Sequence, residues 1–157
     1  MIKPGDYVDT SIELKAVRGD AEVATTLGGL LTRPTVVSIY MRNNTGSCDK
    51  QNAGLIAATA EVERLGYAIM AVSRDSCGAH RKYAAKKGIG YTLVSDPDDV
   101  FARAVDAIVT KSMYGKTYDG PARSAYVLAP DGRVLAVIEK VEAGTHGEQV
   151  IEVLKGL

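Results

Sequence analysis

Short runs of β-branched and aromatic residues alternate along this chain with stretches whose apolar positions recur at helical spacing. Thr35-Val36-Val37-Ser38-Ile39-Tyr40 follows Pro34 and runs into the polar segment Arg42-Asn43-Asn44-Thr45-Gly46-Ser47, which predicts a buried strand breaking into a turn. Leu55, Ala58, Val62 and Leu65 then fall at offsets 0, 3, 7 and 10, one face of a helix that Gly66 ends. Tyr67 to Ser73 predicts a second buried strand. Asp75 or Ser76 is placed to cap a helix over 77–87, with His80, Tyr83, Ala84 and Lys87 on one face and Gly88 and Gly90 beyond it. Tyr91 to Val94 predicts a third strand, and Ser95-Asp96-Pro97 opens a helix carrying Val100, Phe101, Ala104 and Val105. The stretch from Asp106 to Pro121, rich in Gly, Lys and Tyr, lacks clear periodicity and is read as a functional surface loop. Ser124–Leu128 and Arg133–Ile138 flank Pro130-Asp131-Gly132 as a hairpin, and Val150, Val153, Leu154 and Leu157 mark a closing amphipathic helix.

Strand–helix alternation followed by a hairpin and a helix implies an α/β fold, a central mixed β-sheet with helices on its faces. A chain of 157 residues fits one domain over 1–157, and no linker or internal repeat divides it. Nineteen basic residues balance nineteen acidic ones without a basic block, so the charge pattern of a nucleic-acid binder is missing. No apolar run approaches the roughly 20 residues that cross a bilayer, and Met1-Ile2-Lys3-Pro4-Gly5-Asp6 does not resemble a signal peptide. Two cysteines and two histidines, His80 and His146, match no zinc spacing. No metal or cofactor is expected, and a cytoplasmic protein with thiol chemistry is the simplest fit.

Cys48 is the residue that points to chemistry. Thr45 or Ser47 is placed to cap the helix after the first strand, which puts Cys48 in or beside its first turn. Unpaired backbone N–H groups and the positive end of the helix dipole favour an anion there, and Arg42 and Lys50 add charge of the same sign. Such a position promotes the thiolate. The competing reading is that Cys48 is a small buried hydrophobe, as free cysteines often are. Its flanks, Asn43 to Ser47 with Asp49 and Lys50, are polar and turn-forming, and favour the reactive reading.

The segment Tyr40-Met41-Arg42-Asn43-Asn44-Thr45-Gly46-Ser47-Cys48 resembles the active-site pattern P-x-x-x-T-x-x-C of peroxiredoxins. Met113 to Gly120, Arg123 to Leu128 and Pro130-Asp131-Gly132 are similar to the Q-type branch, also called bacterioferritin comigratory protein. So, in order and spacing, are Ser73-Arg74-Asp75-Ser76, His80-Arg81-Lys82-Tyr83 and Leu93 to Pro97. The likeness runs from about residue 34 to the end and is weak before that. It implies a thioredoxin-like fold and reduction of hydrogen peroxide and organic hydroperoxides by a thiolate, recycled by thioredoxin or a similar thiol reductant. Cys48 matches the peroxidatic cysteine, Thr45 the threonine that helps hold thiolate and peroxide, and Arg123 the arginine that stabilises the thiolate and the charge developing on oxygen. Tyr40 and Met41 are expected to cover the site. A monomer is expected.

Two departures stand out. Met41 occupies the position of the pattern's proline, which keeps apolar cover but gives up the fixed φ angle. Asn43 and Asn44 replace acidic residues common in the branch, removing negative charge beside the thiol. The resolving cysteine of many members lies five residues after the peroxidatic one, where this chain has Ala53, or in the next helix near Ala84. Here the only other cysteine is Cys77, at the start of that helix. Either Cys77 resolves the sulfenic acid after local unwinding, or an external thiol does. Two further readings compete with peroxidase: thiol–disulfide exchange, for which a Cys-x-x-Cys pair is missing, and a non-catalytic redox sensor, which Met41 favours.

Overall fold

A computed structural model describes residues 1–157. The chain runs β1 (Glu13–Arg18), β2 (Ala21–Thr26), α1 (Leu27–Leu30), β3 (Thr35–Ile39), α2 (Gly46–Arg64), β4 (Ala68–Ser73), α3 (Cys77–Lys87), β5 (Thr92–Ser95) and α4 (Val100–Ala104). It continues with β6 (Ile108–Met113), β7 (Lys116–Pro121), β8 (Ala125–Leu128), β9 (Val134–Ile138), a 3₁₀ turn (Ala143–Thr145) and α5 (His146–Lys155). Seven strands form one mixed sheet in the order β2-β1-β5-β4-β3-β8-β9. Strands β3, β4 and β5 are parallel neighbours, while β1 and β8 close on them antiparallel.

All five residues of β3 are buried, as the continuous apolar run demands of a strand covered on both faces. Val36 packs with Leu55, Ala58 and Val62 of α2, Tyr83 and Ala84 of α3, and Val150 and Leu154 of α5. Val37 and Ile39 face the other way, into a second core with Leu27 and Leu30 of α1 and Phe101 and Ala102 of α4. Helices therefore cover both faces of the sheet. No helix is long and apolar enough to cross a membrane.

The predicted central strands and helices match these elements to within a residue or two. The N-terminal β1–β2 hairpin extends the sheet at an edge where the sequence pattern offered no element. The stretch from Asp106 to Pro121 is not an open loop: β6 and β7 form a separate two-stranded hairpin, paired from Ile108↔Pro121 to Met113↔Lys116. Its two turn residues, Tyr114 and Gly115, both take positive φ, 52° and 75°, the backbone of a tight hairpin turn. Asn or Asp at the first of those positions would have signalled it; Tyr114 does not. Both strands are exposed over most of their length, so no inward–outward alternation betrays them either.

Candidate active site

The parallel pairing of β3 and β4 brings the loops that follow them to one end of the sheet, with Ile39 opposite Val72. Because β8 runs antiparallel to β3, with Ser38 opposite Ala125, the residues that precede β8 arrive at the same end. Cys48, Arg74 and Arg123 are thus assembled from three separate segments by strand direction alone. The β6–β7 hairpin adds Lys111, Met113 and Tyr118. Together with Met41, Arg42, Thr45, Gly46, Ser47 and Asp75 they line a cavity of about 710 Å³.

Cys48 is the third residue of α2, within the first turn as expected. Its residue is only 3% exposed and belongs to the core beside Tyr40, yet it also lines the cavity. The polar flanks therefore do not keep it out of the core. The Met41 backbone N–H donates to its sulfur at 3.4 Å. Thr45 is the N-cap residue by backbone conformation, but its hydroxyl donates to Arg42 O at 3.0 Å instead of capping α2. That leaves N–H groups of the first turn free. Ser47 lies inside the helix. Arg42 lines the cavity, whereas Lys50 is exposed and lies outside it.

Arg123 lines the same cavity, and its buried Nη1 has no hydrogen-bond partner within the protein. A buried guanidinium nitrogen without an acceptor is costly unless a ligand supplies one. Arg74 differs: it forks onto both carboxylate oxygens of Asp99, which holds its pKa above the ordinary arginine value. Asp75 accepts from the Asn43 N–H at 3.0 Å and from the Ser73 hydroxyl at 2.6 Å.

Tyr40 does not cover the cavity. It is fully buried below it, where its hydroxyl bonds Asn43 Oδ1 and burial pushes its pKa far up. Met41 lines the cavity. Nor do Asn43 and Asn44 flank the sulfur. Asn43 is buried: its side chain bonds Tyr40 and His80, and its backbone N–H donates to Asp75. Asn44 takes φ 59° and receives Lys86 Nζ on its side-chain oxygen at 3.0 Å.

Cys77 opens α3 behind Ser76, whose hydroxyl accepts the Ala79 N–H. It lines a different cavity, of about 810 Å³, with Lys15, Glu22, Ser95 and Asp98 among its walls. Burial, then Glu22, pushes its thiol pKa up. Only Arg74 lines both cavities.

Residues 10–137 match the model of the AhpC/TSA family. The chain belongs to that family. It is 34% identical over 153 residues to peroxiredoxin Bcp of Xanthomonas campestris pv. campestris, covering 94% of this chain and 96% of the relative. A solved structure of Xanthomonas campestris bacterioferritin comigratory protein superposes with a TM-score of 0.84 at 31% identity, covering 96% of both chains. Xylella fastidiosa PrxQ, solved as a serine variant, superposes at 0.86 with 26% identity over 99% of this chain and 97% of its own. The likeness to Q-type peroxiredoxins thus extends across the first 30 residues too, and the fold is the thioredoxin-like one of this family. Lys111, Met113 and Tyr118 line the site without being among the site residues the sequence singles out. The segment that carries them stood out for its composition, but nothing in it said that the hairpin folds back over Cys48.

Proposed function

We propose that Cys48 is the peroxidatic residue of a thiol-dependent peroxidase, with Thr45 and Arg123 as its partners. The observation that carries this reading is the buried, unpartnered Arg123 Nη1 in the cavity that Cys48 lines. The thiolate attacks the terminal oxygen of a hydroperoxide; an S–O bond forms as the O–O bond breaks. The electron pair leaves on the alkoxide or hydroxide, which takes a proton and departs as alcohol or water. Cys48 is left as sulfenic acid. Arg123 stabilises the negative charge on sulfur and on the leaving oxygen, and a fixed charge of this kind is usually the largest catalytic contribution. Thr45 lines the same cavity with its hydroxyl held by Arg42 O.

The Xanthomonas campestris relative is described for alkyl peroxide reduction, and organic hydroperoxides beside hydrogen peroxide are the substrates we assign to this chain. A thiol then condenses with the sulfenic acid, releasing water and leaving a disulfide. Cys77 is the resolving candidate within the chain. It sits at the same sheet end as Cys48 but on a separate cavity, so the first turn of α2 or α3 must unwind before they join. Thioredoxin or a similar dithiol returns the enzyme to its starting state, which suits a monomer in the reducing cytoplasm. Thiol–disulfide exchange as the primary activity is disfavoured because no second cysteine lines the Cys48 cavity.

Peroxide consumption coupled to a thioredoxin-type reductant tests the reading. Cys48→Ser is expected to abolish turnover, and Cys77→Ser to leave formation of the sulfenic acid intact. Turnover by Cys48→Ser at the parent rate refutes it. Peptide mapping after one equivalent of peroxide separates a Cys48–Cys77 cross-link from a lasting sulfenic acid or an intermolecular disulfide.

A further inference from the structure

Met41 stands where the family pattern carries proline, and that exchange supplies a backbone N–H that proline does not have. The N–H is engaged: it donates to Cys48 Sγ at 3.4 Å, within the range for a sulfur acceptor. At the other end of the same residue, the Met41 Sδ lies 2.9 Å from Lys111 Nζ. Lys111 reaches this point from the middle of β6, where it pairs with Tyr118 of β7. Its ammonium forms no ion pair with any carboxylate of the chain. Burial, followed by Arg123 and Arg74, lowers its pKa, and the Cys48 sulfur is the foremost influence in the opposite direction.

We propose that Met41 and Lys111 form a clamp on the Cys48 thiolate that a proline at position 41 excludes. The Met41 N–H is a direct donor to the reacting sulfur. Lys111 is a positioning residue that holds the Met41 side chain, and through it the strand end, in place. The proposal rests on Cys48 being the peroxidatic residue. A donor aimed at sulfur favours S⁻ over S–H, because a thiolate is much the stronger acceptor. It also compensates for the fixed φ angle that is lost with proline: two contacts now fix a residue that a ring would otherwise fix.

Two further features agree with a clamp. The hairpin that carries Lys111 shares no strand pairing with the main sheet, and the Lys111–Met41 contact joins it to the site. Both Met41 and Lys111 line the cavity, so they flank the path by which peroxide reaches the sulfur.

The experiment uses the full chain in the Cys77→Ser background, so that a single thiol is followed. In ¹H–¹⁵N spectra, the Met41 amide proton is expected to move downfield with the same midpoint as Cys48 ionisation, read separately by pH-dependent alkylation. An amide signal indifferent to Cys48 ionisation overturns the proposal, and no substitution at Met41 or Lys111 is needed to see it. Met41→Pro, which removes the N–H, is expected to raise the midpoint of alkylation and slow peroxide reduction at neutral pH by roughly tenfold, the scale of one hydrogen bond to a charged group. Met41→Leu keeps the N–H and the bulk but loses the sulfur contact, so its midpoint stays closer to the parent. Because the Lys111 charge also acts on Cys48 directly, Lys111→Met is expected to keep part of its effect in the Met41→Leu protein but to lose the share that passes through the Met41 sulfur; an equal effect in the two backgrounds overturns the part given to Lys111. Alkylation and spectra do not require turnover. An unmoved Met41 amide in a protein that still consumes peroxide through Cys48 therefore refutes the clamp alone.

Discussion

The backbone N–H of Asn43 donates to Asp75 Oδ2 at 3.0 Å, tying the loop that leads to Cys48 to the loop that leads to Cys77. Asp75 is itself held by Ser73, and its carbonyl accepts the Ser95 hydroxyl at 2.6 Å. The carboxylate therefore ties both cysteine-bearing segments to the end of β4, and the backbone carbonyl of the same residue adds the end of β5. Asp75→Ala leaves the N–H of buried Asn43 without its acceptor and is expected to cost about 1–3 kcal/mol. Urea unfolding measures it; an unchanged midpoint would mean the loops are held by other contacts. The same variant is expected to form any Cys48–Cys77 cross-link faster, since the latch opposing local unwinding is gone.

Arg123→Met keeps much of the bulk and removes the charge. With no other protein group bonded to Nη1, the loss falls on whatever the cavity holds. The rate of sulfenic acid formation is expected to fall by roughly 10²-fold or more, the scale for one preorganised electrostatic donor. Stopped-flow measurement with hydrogen peroxide reads this step directly, and a parent-like rate would show that Arg123 does not face the reacting oxygen.

How far these features were legible in the sequence depends on whether they are local. The burial of β3 and the start of α2 just before Cys48 follow from neighbouring residues, and both are readable. Cys48 itself was mistaken for a residue outside the core, because polar neighbours on a helix start do not fix the direction of the one side chain that turns inward. Asn43 shows the same limit: its buried side chain meets His80 on α3, 37 residues beyond it in the chain. Lys111 was beyond reach, because its position depends on a hairpin turn hidden by Tyr114 and on where that hairpin docks. The roles of Thr45 and Arg123 came from the family pattern and not from their surroundings.

Helices α2 and α5 meet backbone to backbone at Gly54 and Gly147. A Cβ at position 147 would stand 2.4 Å from the Gly54 carbonyl oxygen and one at position 54 would stand 3.0 Å from Gly147 N. Neither neighbour is a side chain that can swing away. Gly147→Ala is expected to separate the helices and destabilise the fold by about 1–3 kcal/mol, the usual cost of overpacking. Gly144→Ala, with open space around its Cβ position, serves as the control. Equal urea midpoints for the two variants would contradict the close packing.

Stability is expected to fall as pH drops below about 6.5, the ordinary histidine value. His80 and His146 are fully buried, and burial lowers the pKa of each. The His80 Nε2 proton is donated to Val94 O while Nδ1 faces the Asn43 amide nitrogen, a pattern that fits only the neutral ring. In His146, Nδ1 faces Gln149 Oε1 and Nε2 faces Ser38 Oγ, which already accepts from Gln51. Above pH 6.5 both rings are neutral in the folded and unfolded chain alike, so pH has no leverage through them. Below it the unfolded chain binds protons that the fold excludes, and stability is lost until the lowered folded values are reached. Protonated His80 would also turn a donor toward the Asn43 side-chain nitrogen, loosening the loop before Cys48. Urea midpoints between pH 7.5 and 5.5 are expected to decline, and His80→Gln with His146→Gln to flatten that slope even if both variants start lower. A slope that survives both substitutions would place the acid sensitivity elsewhere.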